Sequence, residues 1–428
     1  MKPAECPVCN SGDLHAFLHR SQVPVHQNLV MQSQAQARAA TRGDLEFMAC
    51  RACGFVFNRA FDASRLAYGE HYDNTQSCSV FFDEYLDGLV EDLVQRQGVR
   101  DCKIVEVGCG KGGFLRKLVN YPDSGNQGFG FDPTYVGPDS DLDDRLAFRR
   151  CFYDATCIDV AADIVVCRHV IEHVPDPASL LSSISDALQG SPQARVFFET
   201  PCVEWIFKNR VVWDFFYEHC SLFSAASLNL AFTRAGFQVD KIEHIFGGQY
   251  LWLEARLTTQ EVEKSVRESD SQTGMEQVST KQLSAELPSE KPFSKALQTP
   301  AALHVTHATA NLAAEYGAME TALRQDLRAR TLALRKNGRL ALWGAGAKGA
   351  TFASLLDPDC RLIDCVVDVN PNKQGRFLPG TGHPIIAPAH LRERDIDNII
   401  LMNPNYRAEN QTLLDSLGLK IGLTDWSV

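Results

Sequence analysis

The chain of 428 residues has no apolar run approaching the roughly 20 residues that a bilayer crossing requires. Its first residues, MKPAECPVCN, also lack the apolar stretch of a secretory signal. Both absences lead to the expectation of a soluble, cytoplasmic protein with no membrane partner. Basic residues are in deficit, 42 Lys and Arg against 53 Asp and Glu, for a formal net charge of −11. A chain of that sign has no general attraction to a nucleic-acid backbone, although a local basic pocket for a phosphorylated small molecule is compatible with it. No segment repeats at a solenoid period. What remains is an ordinary globular balance, 45% hydrophobic and 22% charged. The length admits about two to four domains. The expected partner is therefore a small molecule, and the expected state a monomer.

Four regions separate by composition. Residues 1–75 carry paired cysteines and short alternating runs such as LEFMAC and GFVFN. Residues 76–257 alternate apolar strands (KIVEVGC, GNQGFGFDP, RLAFRRC, ADIVVCRH, ARVFFETP) with amphipathic helices, and end in the pair QVDKIEHI and YLWLEARL. This pattern predicts an α/β fold finished by antiparallel strands. Residues 258–300 are rich in Ser, Thr, Glu, Gln and Lys and have little to bury, which predicts a polar linker or insert. In 301–428, Leu312, Tyr316, Met319, Leu323 and Leu327 mark one face of a long helix, and a second α/β block follows with RLALWGAGAKG, LIDCVVDVNP and NIILMNPNY.

Fourteen cysteines could mean disulfides, but in a long chain without a signal, metal ligation and burial as small apolar residues are the readings to prefer. Cys6–Cys9 and Cys50–Cys53 are two C-x-x-C pairs about forty residues apart. Each pair aims two sulfurs at one point, and two pairs provide tetrahedral coordination by four sulfurs, suited to Zn2+. Four thiolates leave no open position, so the role would be structural. The competing reading is four unrelated buried thiols.

The run KIVEVGCGKGGFL reads as strand, glycine turn and helix start, with Glu106, Gly108, Gly110 and Gly112 in regular spacing and Cys109 between them. Such a turn lets a backbone approach a ligand before a helix N-terminus, and dinucleotide-binding folds share it. A second strand ends in Asp132–Pro133, 24 residues after Gly108, where an acid can accept ribose hydroxyls.

These stretches, with CRHVIEHVPDP, resemble the class I (Rossmann-like) S-adenosylmethionine-dependent methyltransferases. The resemblance implies a cofactor site at Glu106, Gly108, Cys109, Gly110, Gly112, Asp132 and Pro133, with Tyr153, Asp154 and Arg168 as further contacts. The order of parts is also similar to one family, the three-domain zinc-containing C-methyltransferases that act beside a ketone on nucleotide-linked deoxysugars. In that order an N-terminal four-cysteine zinc-binding module precedes the methyltransferase core, and a C-terminal Rossmann-like α/β block opening WGAGAKG follows it. Such chemistry needs a base for the α-proton, hydrogen bonds for the enolate oxygen, and alignment with the donated methyl.

The family's Tyr-x-Glu-His signature falls on FFYEHCSLFS. It implies His219 as base with Glu218 as its orienting partner, and His173 as a second pocket histidine. The tyrosine position holds Phe216 and is followed by Tyr217, a departure that leaves open whether Tyr217 substitutes or the substrate differs. Tyr72 and Tyr68 in AYGEHYDNTQ match the tyrosine-bearing segment before the core. Lys348, Asn403, Asn405 and Tyr406 are candidate substrate contacts of the last block, where Lys348 could hold a phosphate. Asp368 would suggest NAD if the block stood alone. Two rival functions remain at this level: an O- or N-methyltransferase of natural-product metabolism, and a non-enzymatic zinc-containing scaffold.

Overall fold

The computed structural model describes residues 5–66, 78–157, 159–258 and 300–425. Tyr68 and Tyr72, and all but the ends of the polar segment 258–300, lie outside the described residues. Three sheets organise the rest.

The first sheet is built from β1 (Leu14–Pro24), β2 (Arg42–Cys50) and β3 (Val56–Asn58) in antiparallel pairing. The second has eight strands: β4 (Lys103–Val107), β5 (Gln127–Phe131), β6 (Ser140–Asp141), β7 (Leu146–Arg149), β8 (Ile164–Arg168), β9 (Arg195–Pro201), β11 (Phe237–Ile245) and β12 (Tyr250–Leu257). Between them in sequence, the short β10 (Ser221–Leu222) leaves the second sheet and pairs with β3, becoming the fourth strand of the first.

The second sheet runs in the order β11-β12-β9-β8-β4-β5-β7-β6. Its central strands β7, β5, β4, β8 and β9 are mutually parallel, while β12 inserts antiparallel between β9 and β11. Parallel strands covered on both faces read as continuous apolar runs, and IVVC in β8 and VFF in β9 are such runs, fully buried. This is the α/β fold with closing antiparallel strands that the sequence pattern predicts, in the class I Rossmann-like topology that the resemblance implies.

The third sheet is parallel throughout, in the order β15 (Ile385–Ile386), β14 (Cys365–Val367), β13 (Arg339–Trp343), β16 (Ile396–Leu401), β17 (Gly422–Asp425). Sequence patterning reads β13, β14 and β16 but not the two short edge strands.

One helix ties these parts together. Pro300–Lys336 carries the expected apolar face, with Ala313, Tyr316 and Leu327 buried. Arg20 of β1 donates to Glu320 on this helix (3.1 Å) and to the Phe215 carbonyl (3.0 Å), so one buried guanidinium joins first sheet, long helix and core. The helix lies so close to β1 that a Cβ on Gly317 would stand 2.4 Å from the Phe17 carbonyl oxygen. Gly→Ala inside a helix ordinarily gains about 1 kcal/mol. At this contact we expect the opposite sign: Gly317→Ala should lower the urea midpoint, a loss of about 1–3 kcal/mol from overpacking. A stabilised Gly317→Ala protein would refute the close approach.

Candidate active site

The segment 211–224 leaves the helix Val203–Lys208 and returns to the first sheet through β10. The chain enters a turn at residues 217–218, and the side chains on either side of its start part in opposite directions. Tyr217 turns toward the first sheet, where its hydroxyl accepts from the Asp62 amide at 2.9 Å and its ring covers Gly43. Phe216 turns the other way, into a cavity of about 270 Å³, and packs on the His219 ring at 4.0 Å. The structure therefore does not bring the Tyr217 hydroxyl to the cavity that Phe216 and His219 line.

The cavity lies between the second and third sheets. His169, Glu172 and His173, following β8, line one side with His219; the β13 turn, Lys348 and Lys373 line the other. His173 Nδ1 is 3.0 Å from the Glu218 carbonyl oxygen, so this nitrogen carries the proton and donates. The His173 and His219 rings meet edge to face at 4.9 Å. Burial pushes His219 well below its ordinary pKa, and the charges of His173, His169 and Lys348 push it further, so its imidazole is neutral.

The Glu218 carboxylate does not orient His219. It is fully buried on the far side, accepting from the Gln27 amide at 2.9 Å with His26 at 3.7 Å. What Glu218 offers the cavity is its carbonyl.

Behind these residues lies a buried charge network that the sequence does not announce. Arg168 pairs with Glu199 at 2.6 Å; His169 bridges Glu199 (3.1 Å) and Glu172 (3.2 Å); Tyr85 donates to Glu199 at 2.7 Å, and Thr200 to Glu172 at 3.0 Å. Burial pulls His169 down, but the Glu199 and Glu172 carboxylates outweigh it and bring its pKa to about 9. Burial raises Glu199, and Arg168 and His169 outweigh that in turn, to about 2. His169 also holds a left-handed backbone, φ 53°, uncommon for a side-chain-bearing residue. His169 and Glu172 sit within the CRHVIEH run, but only the fold shows that they touch.

On the opposite wall, Lys348 is held by both oxygens of Asp214 at 2.7 Å, so its charge is already matched. Asn403 and Tyr406 line the cavity, and Asn403 Oδ1 also caps the local turn by accepting from the Asn405 amide; the Asn405 side chain is not part of the lining. Asp368, the acid that would suggest NAD, accepts from the Ala345 and Asn370 amides and so braces the β13 turn. Lys373, Asn28 and Gln249 also line the cavity. No motif in the sequence marks them.

The glycine turn after β4 adjoins this cavity through the loop after β8. Gly108, Gly110 and Gly112 all have positive φ, and a Cβ on Gly108 would stand 2.3 Å from Val170, next to His169. Asp132 Oδ2 accepts from the Gly110 amide at 2.9 Å, and Pro133 follows it. Cys109 is buried, Arg168 is held in its ion pair over the Phe114 ring, and Tyr153 is buried against Phe131. Glu106 lies beneath the turn. Burial raises its pKa to about 8, and its Oε2 has no hydrogen-bond partner among the described residues. An open glycine cradle over an unsatisfied buried acid fits a ligand that brings a cationic or donor group to Glu106.

In the first sheet the four thiols form a second donor set. Sγ atoms of Cys6 and Cys53 are 3.6 Å apart, those of Cys9 and Cys50 3.5 Å, and all four donors lie within 4.8 Å of one another. The residue after each pair, Asn10 (φ 61°) or Gly54 (φ 76°), turns left-handed and donates its amide to the first cysteine's carbonyl at 2.9 Å. The two knuckles are thus built alike.

Family comparison assigns the described parts. Residues 82–242 match a methyltransferase domain model, and residues 283–416 match a C-methyltransferase C-terminal domain model. The chain is an S-adenosylmethionine-dependent methyltransferase. C-methyltransferase NovU of Streptomyces niveus is 23% identical over 425 residues, covering 95% of this chain and 90% of that protein. A ubiquinone biosynthesis O-methyltransferase of Colwellia psychrerythraea is 27% identical over 126 residues, 28% of this chain and 50% of that one. Among solved structures, a Burkholderia thailandensis 1,6-didemethyltoxoflavin N1-methyltransferase is 16% identical, covering 42% of this chain and 81% of its own, with a TM-score of 0.32.

Two outcomes follow for this methyltransferase. Glu106→Gln should weaken S-adenosylhomocysteine binding by roughly 10–100-fold in calorimetry, the size of a lost hydrogen bond to a charged group. The raised pKa of His169 adds stability that is whole below about pH 6.5 and lost as pH rises through about 9. The stability gap between wild type and His169→Gln in urea should therefore shrink across that window. A gap that widens with pH would contradict the bridged imidazolium.

Proposed function

We propose that this methyltransferase methylates a carbon next to a ketone, through an enolate, on a nucleotide-linked sugar or a similar keto intermediate. The observation that carries the reading is the neutral His219 imidazole, set beside His173 in a cavity closed by a second α/β block. The match to a C-methyltransferase C-terminal domain, and the similarity to NovU over most of both chains, support carbon as the methylated atom.

S-adenosylmethionine, held by Glu106, Asp132 and the glycine turn, supplies an electrophilic methyl group. His219 takes the α-proton on its free lone pair. His173, with Nδ1–H fixed on the Glu218 carbonyl, stands beside His219 on the cavity wall and holds the enolate side of the substrate. Phe216 excludes water from the His219 ring. Tyr406 and Asn403 contact the substrate from the third sheet, and the proton on His219 returns to solvent after transfer. The protein acts as a cytoplasmic monomer with the domain division 1–75, 76–257 and 301–428.

We also assign the four thiols to structural zinc. Tetrahedral Zn–S bonds near 2.3 Å place sulfurs about 3.8 Å apart, close to the 3.5 and 3.6 Å between partners here.

Two experiments test these assignments. His219→Asn should retain S-adenosylhomocysteine binding yet lose about 10²–10⁴-fold in turnover. It should lose with it the exchange of the α-proton of a nucleoside-diphosphate keto-deoxysugar in D2O. Exchange at the wild-type rate would remove His219 as base, and methyl transfer without any wild-type exchange would point to an oxygen or nitrogen acceptor. After mild chelation, native mass spectrometry should find one zinc per wild-type chain and none in Cys50→Ser/Cys53→Ser; a metal-free wild type that remains folded would overturn the zinc assignment.

A further inference from the structure

The cavity wall carries a donor set that the proposed reaction uses only in part. Glu172, His173 and His219 each offer one donor atom, and the three atoms lie within 4.8 Å of one another. They come from two elements, the short turn Ile171–His173 after β8 and the segment before β10. His173 has its Nδ1–H on a backbone carbonyl, which leaves Nε2 as its lone-pair nitrogen. Metal-binding imidazoles are oriented by this same device, with the far N–H fixed on a carbonyl or carboxylate. The Glu172 carboxylate is also held from behind, by the Thr200 hydroxyl at 3.0 Å and His169 at 3.2 Å. His219 makes ring contacts with Phe216 and His173 and no hydrogen bond among the described residues.

We propose that Glu172, His173 and His219 form a second metal site, distinct from the four thiols, that takes one divalent cation of the zinc, cobalt or nickel class and blocks turnover when filled. Two imidazoles and one carboxylate suit these borderline ions, whereas calcium and magnesium require mostly oxygen donors. Metal–ligand bonds near 2.05 Å in a tetrahedral site place donors about 3.3 Å apart, so the widest pair closes by up to about 1.5 Å. Side-chain torsion can supply that. The remaining position faces the cavity, where water or a substrate oxygen completes the shell. Two of the cationic groups nearby are already matched: Lys348 by Asp214, and His169 by Glu172 and Glu199. Binding of the ion is independent of the proposed reaction. Its effect on turnover rests on His219 being the base, because the ion engages the lone pair the base needs.

Cobalt(II) titrated into the zinc-loaded full-length enzyme separates these statements. A second equivalent should bind with visible d–d bands and without the thiolate-to-cobalt charge-transfer bands of a site made of four thiolates. Its affinity should fall at least tenfold in His173→Asn and in His219→Asn and remain unchanged in His19→Asn, an exposed histidine elsewhere. All variants should keep one zinc and bind S-adenosylhomocysteine, which shows that they fold. Wild-type turnover should be lost in step with cobalt occupancy and return on mild chelation that leaves the zinc in place. No second equivalent, or one that persists in the His173→Asn/His219→Asn double variant, overturns the site. Cobalt that binds there and leaves turnover intact overturns the inhibition, and with it the role of His219 as base, while the site itself stands.

Discussion

A single buried carboxylate sets the geometry of the cavity. Glu218 is fully buried, and burying a carboxyl group is costly unless donors meet it. The donor is the Gln27 amide, just beyond β1, with His26 beside it. That pairing pins the backbone of residues 217–219, and the pinned backbone does the positioning. The Glu218 carbonyl fixes the tautomer and plane of His173, and the next residue is His219. The neighbouring bonds act on the same stretch: Tyr217 to Asp62, Ser221–Leu222 to β3, Asp214 to Lys348. Three sheets hold one short segment, so the cavity exists only where all three meet.

Electrostatics divides the histidines of this cavity. His169 lies between two carboxylates and is driven up to about 9; His219 makes no hydrogen bond to an acid among the described residues and is driven down by burial. Paired titratable groups whose surroundings separate their pKa values are a recurrent arrangement in acid–base sites. The network behind His169 alternates sign, Arg168, Glu199, His169, Glu172, so it carries little net charge into the interior. It fixes the loop after β8, and that loop touches the glycine turn through Val170. Cofactor cradle and cavity are therefore braced by the same residues.

Much of this was legible in the sequence because it is local. The strands of the second sheet are short apolar runs, the glycine turn is contiguous, and each cysteine knuckle closes through its own following residue. The adjacent Glu218–His219 pair marked the segment but not the division of labour within it. Adjacency suggested that the acid served the base, whereas the acid's partner lies 191 residues away. The choice between Phe216 and Tyr217 depends on how the turn at residues 217–218 directs each ring, and no periodicity settles one residue. Lys348 looked like a free cation because Asp214, 134 residues earlier, becomes its partner only when the third sheet closes on the second. His169 follows β8 and Glu199 lies within β9, so they too meet only through the fold. Long-range pairing of charges is the part that pattern alone does not carry.

The thiol cluster lies far from any reacting atom, yet the geometry links it to the cavity. Cys50 ends β2, Cys53 begins the turn into β3, and β3 is the strand that receives β10. Phe55 packs on Phe223 at 4.9 Å, one residue beyond β10. A two-residue strand contributes too few ladder bonds to hold its own register, so β10 inherits rigidity from β3, and β3 from the knuckle that starts it. Loosening the knuckle would release the C-terminal anchor of the segment carrying Glu218 and His219 while its other anchors persist. The cost would fall on alignment within the cavity before it fell on the parallel sheet that holds the cofactor cradle, because that sheet draws its stability from its own buried strands.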